Sequence, residues 1–112
     1  MAYNIAIKEI SKFIGDNKID NNLILNRRVL TGGTFFTKLK EGDVYEDKSF
    51  SSTSLTEQTK FGDFNIKILA KKGSNVANVN NMGEYEYLID KGSKFRVIEK
   101  HKNGMGITVE LL

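Results

Sequence analysis

No cysteine occurs among the 112 residues, which excludes a disulfide framework and a thiolate zinc site; the lone His101 excludes a histidine metal cluster. Proline is also absent. With abundant Lys, Asn and Ile this is the composition that an AT-rich genome yields, and no function is read from it. The opening MAYNIAIKEISK has no basic leader followed by a long apolar run, so neither a secretory signal nor a membrane span is expected there, and the expected setting is a cytoplasm. Charge of one sign is not in large excess: 17 basic against 14 acidic residues leave +3, and the lysines are scattered among acids, which argues against nucleic acid as a partner.

What is present is the make-up of a soluble globular chain, 39% hydrophobic and 28% charged, with seven Phe and four Tyr to supply a core. At this length one core closes but hardly two, so residues 1–112 are expected to form a single domain.

Tyr3, Ile7, Ile10 and Ile14 fall on one helical stripe, which predicts an amphipathic helix over 2–14 ended by Gly15. Residues 23–30 read as a strand with Leu23, Leu25 and Arg27 on one face. Residues 31–42 suit a loop and short helix ended by Gly42, residues 50–55 a short strand, and residues 55–60 a brief helix with Ser54 and Glu57 as a capping box. Phe64, Ile66, Ile68 and Ala70 alternate as in a half-buried strand. Residues 72–83 form an exposed Asn- and Gly-rich loop. Strands at 84–89, 94–99 and 107–111, joined at Lys91-Gly92 and Asn103-Gly104, complete a β-meander. The expected class is α+β.

Three features carry chemistry. Glu84 and Glu86, two apart on a strand, point to one face about 6–7 Å apart and can grip two parts of one reacting complex, although such a pair on a solvated face is common. Arg27 shares a face with Leu23 and Leu25, where a guanidinium needs an anion, a phosphate or a carboxylate, unless it reaches solvent at an edge. Arg28, of opposite parity, reads as a surface charge. The run Ser51-Ser52-Thr53-Ser54 presents hydroxyls, with Ser54 best read as a helix cap and Thr53 also an ordinary strand former.

The stretches LNRRV, GDVYEDKSFSSTSL and GEYEYLIDKGSKFRVIE resemble, in order and approximate spacing, the three signatures of the arginine, serine, glutamate group of ADP-ribosyltransferases, which includes bacterial binary-toxin enzymes and phage transferases. The resemblance implies a compact ADP-ribosyltransferase-like fold, with mostly antiparallel sheets around an NAD cleft and an N-terminal helix. It implies a mono-ADP-ribosyltransferase that uses NAD as substrate and no metal. By that likeness Arg27 holds the phosphates of NAD, Ser52 positions the catalytic Glu86, Thr53 supports the strand beneath the nicotinamide ribose, and Glu84 marks an enzyme that modifies arginine. Residues 74–83 would recognise a protein acceptor, and the setting would be a phage effector such as an anti-CRISPR, or a toxin domain.

Asn26 replaces the aromatic residue usual before the motif arginine, Arg28 stands where many members have glycine, and one helix precedes the motif where larger relatives have several. Two rivals are an NAD glycohydrolase using the same site, and a non-catalytic basic module that binds nucleic acid through lysines with Phe and Tyr as stacking platforms.

Overall fold

The computed structural model describes residues 2–29, 34–56, 64–79 and 86–112. Helix α1 (Ala2–Asp16) is followed by β1 (Leu23–Val29), the short α2 (Thr34–Thr37), β2 (Val44–Asp47), β3 (Ser51–Ser54), β4 (Phe64–Ala70), β5 (Val76–Asn78), β6 (Glu86–Ile89), β7 (Ser93–Lys100) and β8 (Gly106–Leu111). Among the described residues the strands form one sheet in the order β2-β7-β8-β4-β1-β3-β6-β5. Every pairing is antiparallel except that of β4 with β8. The α+β class and mostly antiparallel sheet are as expected.

The two ends of that order are linked through the chain itself. Asp47 on β2 faces Ser93 on β7, and Ser51 on β3 faces Ile89 on β6, so the ladder resumes in the same register beyond residues 48–50 and 90–92. It is one long antiparallel ribbon bent at a corner. Gly92 turns that corner at a φ of 76°, which a side chain would resist, and donates its N–H to the Asp47 carbonyl at 2.7 Å. The bend brings the two halves of the sheet round a single core. Leu25, Ile66, Ile68, Val76, Ile89, Val97, Ile107 and Val109, from β1 and β4 to β8, all belong to one buried cluster. Burying each such side chain contributes roughly 1.5–3 kcal/mol before entropy is counted.

Several sequence expectations change. Residues 86–111 are not a meander: β7 and β8 pair as a hairpin, but β6 and β7 are not neighbours, because Lys91-Gly92 bends a continuing ribbon instead of reversing it. The 72–83 loop contains β5, since Val76 and Ala77 are completely buried and pair with β6. Strand β2 was not foreseen in the polar run GDVYED. Helix α1 continues through Gly15 to Asp16, and its end is set by Asn17, whose side-chain amide donates to the Phe13 carbonyl at 2.9 Å. The brief helix near 55–60 lies mostly outside the described residues; Ser54 Oγ instead accepts the Thr56 N–H at 3.1 Å.

Candidate active site

The register of β1, β3 and β6 decides which side chains meet. Asn26 faces Ser54, and Ser54 faces Glu86. Cross-strand partners point to the same side of a sheet and side chains alternate along each strand. Asn26, Arg28, Ser52, Ser54 and Glu86 therefore share one face. Leu25, Arg27, Ser51, Thr53, Tyr87 and Ile89 share the other, the side of the core.

On the first face Ser52 Oγ donates to Glu86 Oε1 at 2.8 Å. That bond holds the carboxylate in one rotamer while leaving its second oxygen for another partner. Beneath it, buried Thr53 donates Oγ1 to the Tyr87 carbonyl at 2.8 Å, which fixes the β6 backbone next to Glu86. Asn26, itself buried, donates from Nδ2 to the carbonyls of Ser54 at 3.4 Å and Leu55 at 3.3 Å and ties β1 to the end of β3.

Arg27 is not brought to Ser52 and Glu86. Its Nη1 donates to Asp47 Oδ2 at 2.8 Å and to Ser51 Oγ at 3.2 Å, across the corner between β2 and β3. Asp47 also accepts from Ser51 Oγ at 2.8 Å and from the Ser49 N–H at 2.9 Å. Burial opposes its charge, but those hydrogen bonds and the guanidinium outweigh it and hold the carboxyl below its usual range. The anion expected for Arg27 is thus an internal carboxylate. Nearby, burial pushes the Tyr45 phenol well above its ordinary value, with the Arg27 charge opposing and the Asp47 charge adding to that shift.

The arginine on the Ser52 face is Arg28, which strand parity alone had given to the surface. Its partner across β1 and β4 is Asn65, only 6% exposed, whose Oδ1 is buried with no hydrogen-bond partner. Nothing in FGDFNIK signals that asparagine. A buried acceptor of this kind carries a desolvation cost unless it is paired. Helix α1 flanks this region: Ala6, Ile7 and Ile10 line a groove of about 310 Å³ with Phe50, two residues before Ser52, and Ser11 Oγ donates to Asp90 at 2.9 Å. Glu84 and residues 80–83 of the 74–83 segment lie outside the described residues. Among the described residues there is no cluster of His, Asp and Glu able to hold a metal, and no helix long and apolar enough to cross a membrane.

This fold is that of the bacterial ADP-ribosyltransferase toxins. The chain superposes on the C3larvin toxin of Paenibacillus larvae with a TM-score of 0.79 at 15% identity, covering 99% of this chain and 77% of that one. On the C3 exoenzyme of Clostridium limosum the values are 0.77 and 20%, covering 95% and 67%. On C3stau2 of S. aureus, solved with NAD, they are 0.77 and 16%, covering 95% and 69%. At such identities the likeness is one of fold. Membership rests on sequence: residues 2–110 match the model of the ADP-ribosyltransferase exoenzyme family, and the chain belongs to that family. No curated protein sequence matches it.

Proposed function

We propose that residues 1–112 form one catalytic domain that breaks the nicotinamide–ribose bond of NAD and transfers ADP-ribose to an arginine of a protein acceptor. The observation that carries this reading is the 2.8 Å hydrogen bond from Ser52 to Glu86, on a sheet face shared with Arg28.

As the bond breaks, its electron pair leaves with nicotinamide and positive charge develops on the anomeric carbon and ring oxygen. The Glu86 carboxylate, held by Ser52, lies against that charge and accepts a hydrogen bond from the ribose hydroxyl. Arg28, in place of Arg27, supplies the cation for the diphosphate, and Thr53 keeps the strand under the ribose from shifting. An acceptor guanidinium is a poor nucleophile while protonated; Glu84 takes its proton, the freed nitrogen bonds to the anomeric carbon, and ADP-ribosyl-arginine is released. The segment 74–83 contacts the acceptor. The setting on this reading is the cytoplasm of the producing or host cell, as a phage effector such as an anti-CRISPR or as a toxin domain.

The test is incubation of the protein with labelled NAD and cell lysate. Labelled protein bands that disappear in Glu86→Gln support a transferase. Free ADP-ribose with no labelled protein means a glycohydrolase, and no turnover of NAD contradicts both. Glu84→Gln is expected to lose transfer while sparing cleavage to water.

A further inference from the structure

Away from the Ser52–Glu86 face the fold gathers charge that is dispersed in the sequence. Lys18, just after α1, Lys71 and Lys72, just after β4, and Arg96 on β7 line one open groove of about 500 Å³. Among the described residues one acidic side chain shares it, Glu110, which already pairs with Arg96 at 2.8 Å, and the terminal residue Leu112 also lines it. Among the described residues no ion pair engages Lys18, Lys71 or Lys72. Cations crowded in this way repel one another and favour an incoming anion.

The groove runs into the segment assigned to the acceptor. Ser74 and Asn75 line it, and Asn75 opens the β5–β6 ladder by accepting the Asp90 N–H at 3.0 Å. At the other end of that ladder the Val79 N–H donates to the Glu86 carbonyl at 3.2 Å. Four residues of extended chain separate the ends, about 13 Å. A group in the groove is too far away to take part in bond breaking at Glu86. One protein face contacting about 800 Å² of this molecule spans both places.

We infer that this basic groove docks an acidic surface of the protein acceptor and so orients the modified side chain toward Glu86. The inference rests on the transferase reading. Among the described residues the groove lining has no aromatic side chain on which a base could stack, which favours a carboxylate-rich protein surface over single-stranded nucleic acid.

The experiment compares wild type, Lys71→Glu/Lys72→Glu and, separately, Lys18→Glu, in nuclease-treated lysate with labelled NAD. Cleavage of NAD to water is measured separately without lysate. Both variants are expected to label protein at least about tenfold less than wild type, with cleavage to water unchanged. Added salt is expected to weaken labelling by wild type more than by the variants. Equal labelling by wild type and variants would overturn the docking role alone, as would a loss in the variants that appears only when nuclease is omitted. Loss of labelling together with loss of cleavage to water would also overturn it. Wild-type protein that cleaves NAD but labels nothing would overturn the transferase reading and the groove with it.

Discussion

Arg27 and Asp47 meet at 2.8 Å across the corner that joins the two halves of the sheet, with their side chains 29% and 18% exposed. Arg27, which resembles the family's phosphate ligand, thereby ties β1 to the β2–β3 bend. Arg27→Ala leaves Asp47 half-buried without its cation and should destabilise the fold by about 1–2 kcal/mol, read as a lower midpoint in urea.

The same pair predicts a pH dependence. The Asp47 carboxyl is held below its ordinary value of 3.8 in the folded protein, so its contribution is complete above that pH and is lost as pH falls through the lowered value. The stability gap between wild type and Asp47→Asn should be constant near neutrality and close in acid. A gap that widened on acidification would contradict this account.

Arg28 should differ from Arg27 in its effect on NAD binding. On the proposed reading Arg28 binds the diphosphate, so Arg28→Ala is expected to raise KM for NAD by about tenfold or more, as for loss of one charge-assisted contact. Steady-state kinetics separates the two arginines. A larger KM effect for Arg27→Ala than for Arg28→Ala would restore the phosphate role to Arg27.

Asn65 offers a further test of that face. Replacing a buried acceptor that lacks a partner by an apolar group of similar size is neutral or stabilising, by up to about 1–3 kcal/mol. Asn65→Leu should therefore melt no lower than wild type, yet bind NAD less well in isothermal titration, because the acceptor lies next to Arg28. A lower melting temperature with unchanged NAD binding would make Asn65 purely structural.

Much of this was legible in the chain. Strand β4 coincides with the alternation of Phe64, Ile66, Ile68 and Ala70, because a strand with one face fully in the core writes its period into the sequence. The Ser52–Glu86 pair followed from the family signatures. Strands β2 and β5 were not legible, being four and three residues long and set in polar surroundings that propensity reads as loop. Parity correctly put Arg27 with Leu25, but which side of β1 meets Ser52 is fixed by the pairing of Asn26 with Ser54, a contact between residues 28 apart that no local pattern encodes. The same holds for the corner: Lys91-Gly92 announces a bend without saying whether the chain reverses or continues.

The most direct measurement is nicotinamide release from NAD by wild type, Ser52→Ala and Glu86→Gln, each first shown by circular dichroism to be folded. Glu86→Gln should lose at least about 10²–10³-fold in kcat, and Ser52→Ala about 10–100-fold, because one removes the charge facing the cation and the other only its anchor. Release by folded Glu86→Gln at the wild-type rate would contradict the account.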